Sequence, residues 1–174
     1  MEPTFSQLIR VIPDFPQPGV IFKDITPLLA DSNAFITCCE KFSELTKDVD
    51  YIAGIESRGF IFGAAVASMS GKGFIPIRKS GKLPGKTFSK SYNLEYGQAA
   101  LEIHDELIPP NKRVLIIDDV LATGGTACAA VDLVLMAGLV PVKLAFLLQI
   151  PALAGQARIA ESHPQIQIHT ILAE

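Results

Sequence analysis

Apolar and polar positions alternate in blocks along this chain, with short greasy runs separated by amphipathic stretches and turn-rich segments. Arg113 to Ile117 is a continuous apolar run after its first residue, which predicts a strand covered on both faces. Val142 to Leu148 is a second buried run, and Tyr51 to Gly54 and Gly73 to Ile77 are shorter ones. Ala99 to Ile103 reads as a strand paired with part of the polar stretch before it, and Gln165 to His169 alternates as an edge strand would. Helical spacing predicts a short helix over Ser6 to Arg10, an amphipathic helix over Asn33 to Thr46, a small-residue helix over Gly59 to Met69 and another from about Thr126 to Met136. Pro13 to Pro27 holds four prolines and one glycine and reads as an ordered loop with a fixed path. Lys82 to Tyr96 is polar and basic with turn signals. Strands alternating with helices predict an α/β fold, a mainly parallel central sheet flanked by helices. Ligands of such sheets sit at the carboxyl ends of the strands.

Composition narrows the class. A length of 174 residues suits one domain with one sizeable core, and 49% hydrophobic with 19% charged residues is a globular balance. A net charge of −3 gives no general pull toward nucleic acid or an anionic membrane. Cys38 and Cys39 are adjacent and Cys128 is distant, so the three cysteines make no disulfide framework and read as reduced thiols of a cytoplasmic protein. Met1 to Ile12 lacks the basic start and apolar run of a signal peptide. The greasiest stretch, Val131 to Ile150, contains Asp132, Lys143 and Gln149 and is interrupted by Pro141. A buried helix followed by a buried strand explains it better than a membrane span.

The chemistry concentrates in Val114-Leu115-Ile116-Ile117-Asp118-Asp119-Val120-Leu121-Ala122-Thr123-Gly124-Gly125-Thr126. An apolar strand ends in two carboxylates, and a Thr-Gly-Gly-Thr turn then enters a helix. Glycines admit close approach of a ligand to the backbone. The first amides of a helix lack internal partners and sit at its positive end, so the turn is a phosphate cradle, with Thr123 and Thr126 adding hydroxyl donors. Asp118 and Asp119 would repel that phosphate and need another target. A vicinal diol fits, because ionised carboxylates accept two hydrogen bonds from it. The pattern therefore implies a phosphorylated ribose. A capped helix with a merely solvated acidic pair would account for a glycine pair alone, but not for the whole run.

Two basic features accompany it. Glu56-Ser57-Arg58-Gly59-Phe60 follows the Tyr51 to Gly54 strand, and Arg58 at a strand end can fork onto a diphosphate. Arg78, Lys79, Lys82, Lys86 and Lys90 form a basic run with no acid between Arg78 and Leu94, which reads as a mobile anion clamp. Gly81-Lys82-Leu83-Pro84-Gly85-Lys86-Thr87 mimics a nucleotide P-loop but has three residues between its glycines where four are required. His104, His163 and His169 share no metal-ligand spacing and read as surface or strand residues.

The Val114 to Thr126 run resembles the phosphoribosyl pyrophosphate (PRPP) signature of the type I phosphoribosyltransferases. That resemblance implies that Asp118 and Asp119 hold the ribose hydroxyls and that Ala122, Thr123, Gly124, Gly125 and Thr126 wrap the 5-phosphate. Asp14 to Pro27, Arg78 to Gly85, Tyr92 to Gly97 and Ala145 to Gly155 together resemble the adenine phosphoribosyltransferases in particular. This implies a single domain with an N-terminal hood over about residues 1–30 and a flexible catalytic loop over about 79–99. It also implies a homodimer, adenine between Phe22 and Val120, and its edge read by the backbone around Ile21 and Lys23. Lys23 stands where many relatives have arginine, and Gln149 where an acid is common.

The expected reaction is displacement at the anomeric carbon by adenine, with pyrophosphate leaving. Mg²⁺, held mainly by substrate and water, and the cations Arg58, Arg78, Lys79 and Lys82 would stabilise the leaving charge. Glu95 is the candidate for adenine's ring proton, with Tyr96 beside it as phosphate contact or loop anchor. Two other readings stay open: a phosphoribosyltransferase for another base, and a PRPP-sensing regulator without catalysis. The latter would need a nucleic-acid-binding element, which the sequence does not display.

Overall fold

The computed structural model describes residues 5–93 and 98–172. A 3-10 turn over Phe5–Leu8 leads into strand β1 (Arg10–Pro13), which pairs antiparallel with β2 (Ile21–Asp24). Helices α1 (Thr26–Ala30) and α2 (Ser32–Ser43) follow. Asp31 caps α2, its carboxylate accepting from the Ala34 amide at 2.9 Å. The alternating part of the chain then runs β3 (Tyr51–Ile55), α3 (Arg58–Ser70), β4 (Gly73–Lys79), β5 (Thr87–Asn93), β6 (Gln98–His104), β7 (Arg113–Leu121), α4 (Gly125–Met136), β8 (Val140–Gln149), α5 (Gly155–Ser162) and β9 (Gln167–Thr170).

The described residues form a seven-stranded sheet in the order β5-β6-β4-β3-β7-β8-β9 and, apart from it, the two-stranded β1-β2 ribbon. Strands β4, β3, β7, β8 and β9 run parallel, while β6 is antiparallel to β4 and β5 to β6. The mainly parallel α/β architecture expected from the alternation is the one observed. Period two in β7 divides the core between the two faces. Val114 and Ile116 pack with α4, and Leu115 and Ile117 pack with α2 and α3. On the second face the fully buried rings of Phe42 and Phe62 lie 5.5 Å apart. Cutting such a ring to alanine costs roughly 3–5 kcal/mol through lost burial and the cavity left behind. The Val131 to Ile150 run divides between α4 and β8, and no helix among the described residues is long and apolar enough to cross a membrane.

Three local expectations change. The short helix expected over Ser6 to Arg10 is a 3-10 helix over Phe5–Leu8, and Arg10 already opens β1. The proline-rich segment is not loop throughout, since Ile21–Asp24 pairs with Arg10–Pro13 and Thr26 begins α1. Proline is tolerated there because Pro13 ends an edge strand and Pro27 sits in the first turn of α1, where the missing N–H has no helical partner. Strand β7 continues through the acidic pair to Leu121, because its backbone keeps pairing with β8, Asp118 opposite Phe146 and Val120 opposite Leu148. The pairing expected between Ala99 to Ile103 and part of the polar stretch before it is present, as β6 against β5.

Candidate active site

Asp118 and Asp119 sit on the last residues of β7, where the strand passes from the core to the sheet's carboxyl edge. Asp119 is 5% exposed and Asp118 keeps part of its surface open. Burial pushes the Asp118 carboxyl well above the usual carboxylate range, and the adjacent Asp119 charge pushes the same way. Burial raises Asp119 too, against the opposing pull of Arg58. The Asp119 amide donates to Asp118 Oδ1 at 2.9 Å. Asp119 Oδ2 has the Nε of Arg58 at 2.8 Å as an ion-pair partner, but the approach is outside hydrogen-bonding geometry and this buried oxygen accepts no hydrogen bond. A hydroxyl donor is the complement it lacks.

Beyond Leu121 the chain turns through Ala122, Thr123 and Gly124 into α4. Gly124 adopts φ +79°, a left-handed conformation that glycine reaches without the cost another residue would bear. The turn rests on the start of α5: a Cβ at Gly155 would lie 2.2 Å from the Ala122 carbonyl oxygen and 2.9 Å from the Gly124 nitrogen. The first amides of α4 open onto a recess of about 60 Å³ lined by Asp118, Thr123, Gly124 and Thr126 among others. Its backbone donors and positive helix end suit a phosphate.

A larger cleft of about 360 Å³ lies alongside and shares Asp118, Val120, Ala122 and Thr126 with the recess. Ile21, Phe22 and Lys23 of β2 form one wall, Glu56, Ser57 and Arg58 another, and Lys79, Tyr92 and Ile150 complete it. Arg58 ties the walls together. Its guanidinium carbon stands 4.9 Å over the Phe22 ring, Nη1 donates to the Lys23 carbonyl at 3.2 Å, and Nε faces Asp119.

The root of the basic segment is held by two carboxylates. Glu56 accepts from Arg78 Nε at 3.2 Å, from Arg78 Nη2 at 3.3 Å and from the Lys79 amide at 3.0 Å. These contacts, the Arg78 bond first, hold its carboxyl below the usual range. Arg78 Nη1 also donates to the Lys82 carbonyl at 3.0 Å. Glu102 on β6, nearly buried, accepts from Ser80 Oγ at 2.7 Å and the Gly81 amide at 3.0 Å.

The fold thus gathers Ile21, Phe22, Lys23, Arg58, Lys79, Asp118, Asp119, Val120, Ala122 and Thr126 on one cleft, with Thr123 and Gly124 in the adjoining recess. Arg78 and Lys82 do not line it, since Arg78 is turned to Glu56 and Lys82 is outside. Gly125 lines a neighbouring hollow with Tyr92 and Asn93. Glu95 and Tyr96 lie outside the described residues. Glu56, Ser57, Tyr92 and Ile150 are additions. Glu56 and Ser57 lie in the motif around Arg58 and Tyr92 opens the Tyr92 to Gly97 segment, but sequence reasoning assigned them no site role, and Ile150, just after β8, has no motif of its own. Among the described residues no group of three or more His, Cys, Asp or Glu could hold a metal ion. His163, read as a surface or strand residue, is instead buried after α5, with Nε2 3.5 Å from Asp132 Oδ1.

Comparison with known proteins shows the family and the fold. The family model of the phosphoribosyl transferase domain matches residues 26–167. The adenine phosphoribosyltransferase of Thermobifida fusca is 53% identical over 158 residues, 90% of each chain. The crystal structure of adenine phosphoribosyltransferase from Rhodothermus marinus superposes with a TM-score of 0.89 at 45% identity, covering 97% of this chain and 95% of that one. The Saccharomyces cerevisiae enzyme, solved with adenine and an imino-altritol bisphosphate, superposes with a TM-score of 0.88 at 34% identity over 97% and 96%. The chain belongs to the phosphoribosyltransferase family and, within it, to the adenine phosphoribosyltransferases.

Proposed function

We propose that this protein transfers the phosphoribosyl group of PRPP to adenine, giving AMP and pyrophosphate. The observation that carries the reading is the single cleft on which the β2 segment Ile21–Lys23 faces the Asp118–Asp119 pair, with the α4 phosphate recess alongside. Bond by bond, adenine N9 attacks the anomeric carbon, the carbon–oxygen bond to pyrophosphate breaks, and the electron pair departs with the leaving group. The ring proton of adenine goes to a base.

The Asp118–Asp119 pair binds the ribose hydroxyls, with the buried Asp119 Oδ2 as one acceptor. The turn from Ala122 to Thr126 takes the 5-phosphate. Adenine stacks between Phe22 and Val120, and the backbone at Ile21 and Lys23 reads its edge. A hypoxanthine or guanine edge would leave buried polar groups unpaired there, which rejects a base strongly. Lys79 and Arg58 line the cleft where the pyrophosphate leaves. Arg78 and Lys82 follow when the segment they root swings inward. Glu95 receives the base proton, with Tyr96 as phosphate contact or loop anchor.

Mg²⁺ fits this donor set as a guest of the substrate, because Mg²⁺ is commonly bound by one or two carboxylates together with substrate phosphates and water. When bound, it offsets the charge of the leaving pyrophosphate. The reading also carries a homodimer acting in the cytoplasm, which light scattering of the purified protein would report as twice the chain mass.

A turnover assay with PRPP and Mg²⁺, offering adenine, hypoxanthine, guanine, xanthine and orotate separately, tests the proposal. AMP as the sole product is expected. Another nucleotide would overturn the base assignment, and no product would overturn the reaction.

A further inference from the structure

The β1-β2 ribbon that carries Ile21, Phe22 and Lys23 is not part of the seven-stranded sheet. Two strands of four residues have little stability of their own, so the placement of this ribbon must come from elsewhere. At its far end it is tied to itself, the Gly19 amide donating to Asp14 Oδ1 at 2.7 Å. At its near end stands Asp24, the last residue of β2 and 7% exposed. Asp24 Oδ1 accepts from the Thr26 amide at 2.9 Å and from Thr26 Oγ1 at 2.6 Å. Oδ2 accepts from Arg10 Nε at 2.9 Å and also from Arg10 Nη2. Arg10 is the residue opposite Asp24 in the β1-β2 register. One carboxylate therefore holds both strands of the ribbon and the first turn of α1. That helix is fixed in turn by Leu28 and the preceding Ile25, which are 0% and 1% exposed in the core.

We propose that Asp24, clamped by Arg10, is a positioning residue for base selection: it carries the fixed position of α1 to the Ile21–Lys23 backbone that reads the base. The inference rests on the reading of the cleft as an adenine and PRPP site. A peptide edge tells adenine from hypoxanthine only by where its donor and acceptor stand, and small displacements are costly in such geometry. The bonds from Thr26 and Arg10 hold the Asp24 carboxyl down at about 2, so the clamp stays charged through the range in which the enzyme would be assayed.

The test is steady-state kinetics of Asp24→Asn and Arg10→Met, with adenine and hypoxanthine as acceptors and thermal unfolding alongside. Asparagine keeps an acceptor for Thr26 and removes the charge that Arg10 grips. Arg10 is 61% exposed in its side chain, so its replacement leaves no cavity. The expected result is an adenine KM raised about tenfold and a reduced preference for adenine over hypoxanthine, with kcat and the PRPP KM within about twofold of wild type. Arg10→Lys should restore part of the loss. An unchanged adenine KM in both variants, beside a wild type that makes AMP, would overturn the proposal. A uniform loss in kcat and both KM values, tracking lowered thermal stability, would also overturn it by reducing the clamp to a folding contact. If Asp24→Asn does not fold, Arg10→Met alone decides. A wild type that forms no AMP would instead overturn the functional reading, and the proposal with it.

Discussion

The Nε of Arg58 lies 2.8 Å from Oδ2 of Asp119, while the carbon of the same guanidinium stands 4.9 Å over the Phe22 ring centre. One cation at the start of α3 thus spans the wall assigned to the base and the carboxylate assigned to the sugar. Arg58→Lys keeps the charge and loses the planar fork and the ring contact. We expect kcat/KM for adenine to fall by roughly tenfold, in line with a desolvated cation–π contact plus one hydrogen bond. Steady-state titration of each substrate checks this, and an unchanged adenine term would show that the ring contact plays no part.

Asp118 is held in a place that disfavours its charge. Its carboxyl is raised above the unfolded value near 3.8, so the folded state keeps a proton that the unfolded state has released. The sign follows: below that pH the group contributes nothing either way, and as pH climbs toward the folded value the wild type loses stability. Asp118→Asn, which cannot ionise, should unfold at a higher temperature than wild type at pH 7 and near the same temperature at pH 3.5. PRPP binding should weaken severalfold, because the amide offers one acceptor oxygen where the carboxyl group offers two to the ribose hydroxyls. Thermal scans and calorimetric titration of PRPP would read the two effects separately.

Gly155 has no side chain because the phosphate turn occupies the space one would need. Gly155→Ala should displace the Ala122 carbonyl and the Gly124 amide, lowering stability by about 1–3 kcal/mol. The PRPP KM should rise, with that for adenine little changed. Denaturant unfolding and initial rates measure both, and a PRPP KM equal to wild type would mean that the turn relaxes at no functional expense.

Glu95→Ala should leave PRPP binding near wild type and reduce turnover by roughly 10²–10⁴-fold, the usual range for losing a general acid–base group. Single-turnover rates beside a PRPP titration are the measurement. Turnover close to wild type would end the assignment.

The core and the main motif were readable because both rest on local pattern. Val114 to Ile117 announces a buried strand by apolar continuity, and the two glycines before Thr126 announce a helix start. Where polarity and pairing part company, the sequence misleads. Asp118 and Asp119 end the apolar run, but their backbone stays in register with β8. Ile21 to Asp24 lies among prolines and sets two apolar residues side by side before two charged ones, so no period-two alternation marks a strand. The partners of Arg78 and Ser80 were out of reach for another reason. Glu56 and Glu102 stand 22 residues away from them, and only the sheet order brings these carboxylates to the root of the basic segment. Arg58 was placed by its motif at the right edge of the sheet, while its engagement with Phe22 and Lys23 depends on a ribbon that was read as loop.

Because the ribbon bearing Phe22 shares no strand pairing with the main sheet among the described residues, the proposed base wall is a separate module, joined to the proposed sugar site through Arg58. We expect residues 14–20, between β1 and β2, to tolerate exchange with few consequences for the hydrophobic interior. A designer seeking a different acceptor would vary this ribbon first and leave the scaffold untouched.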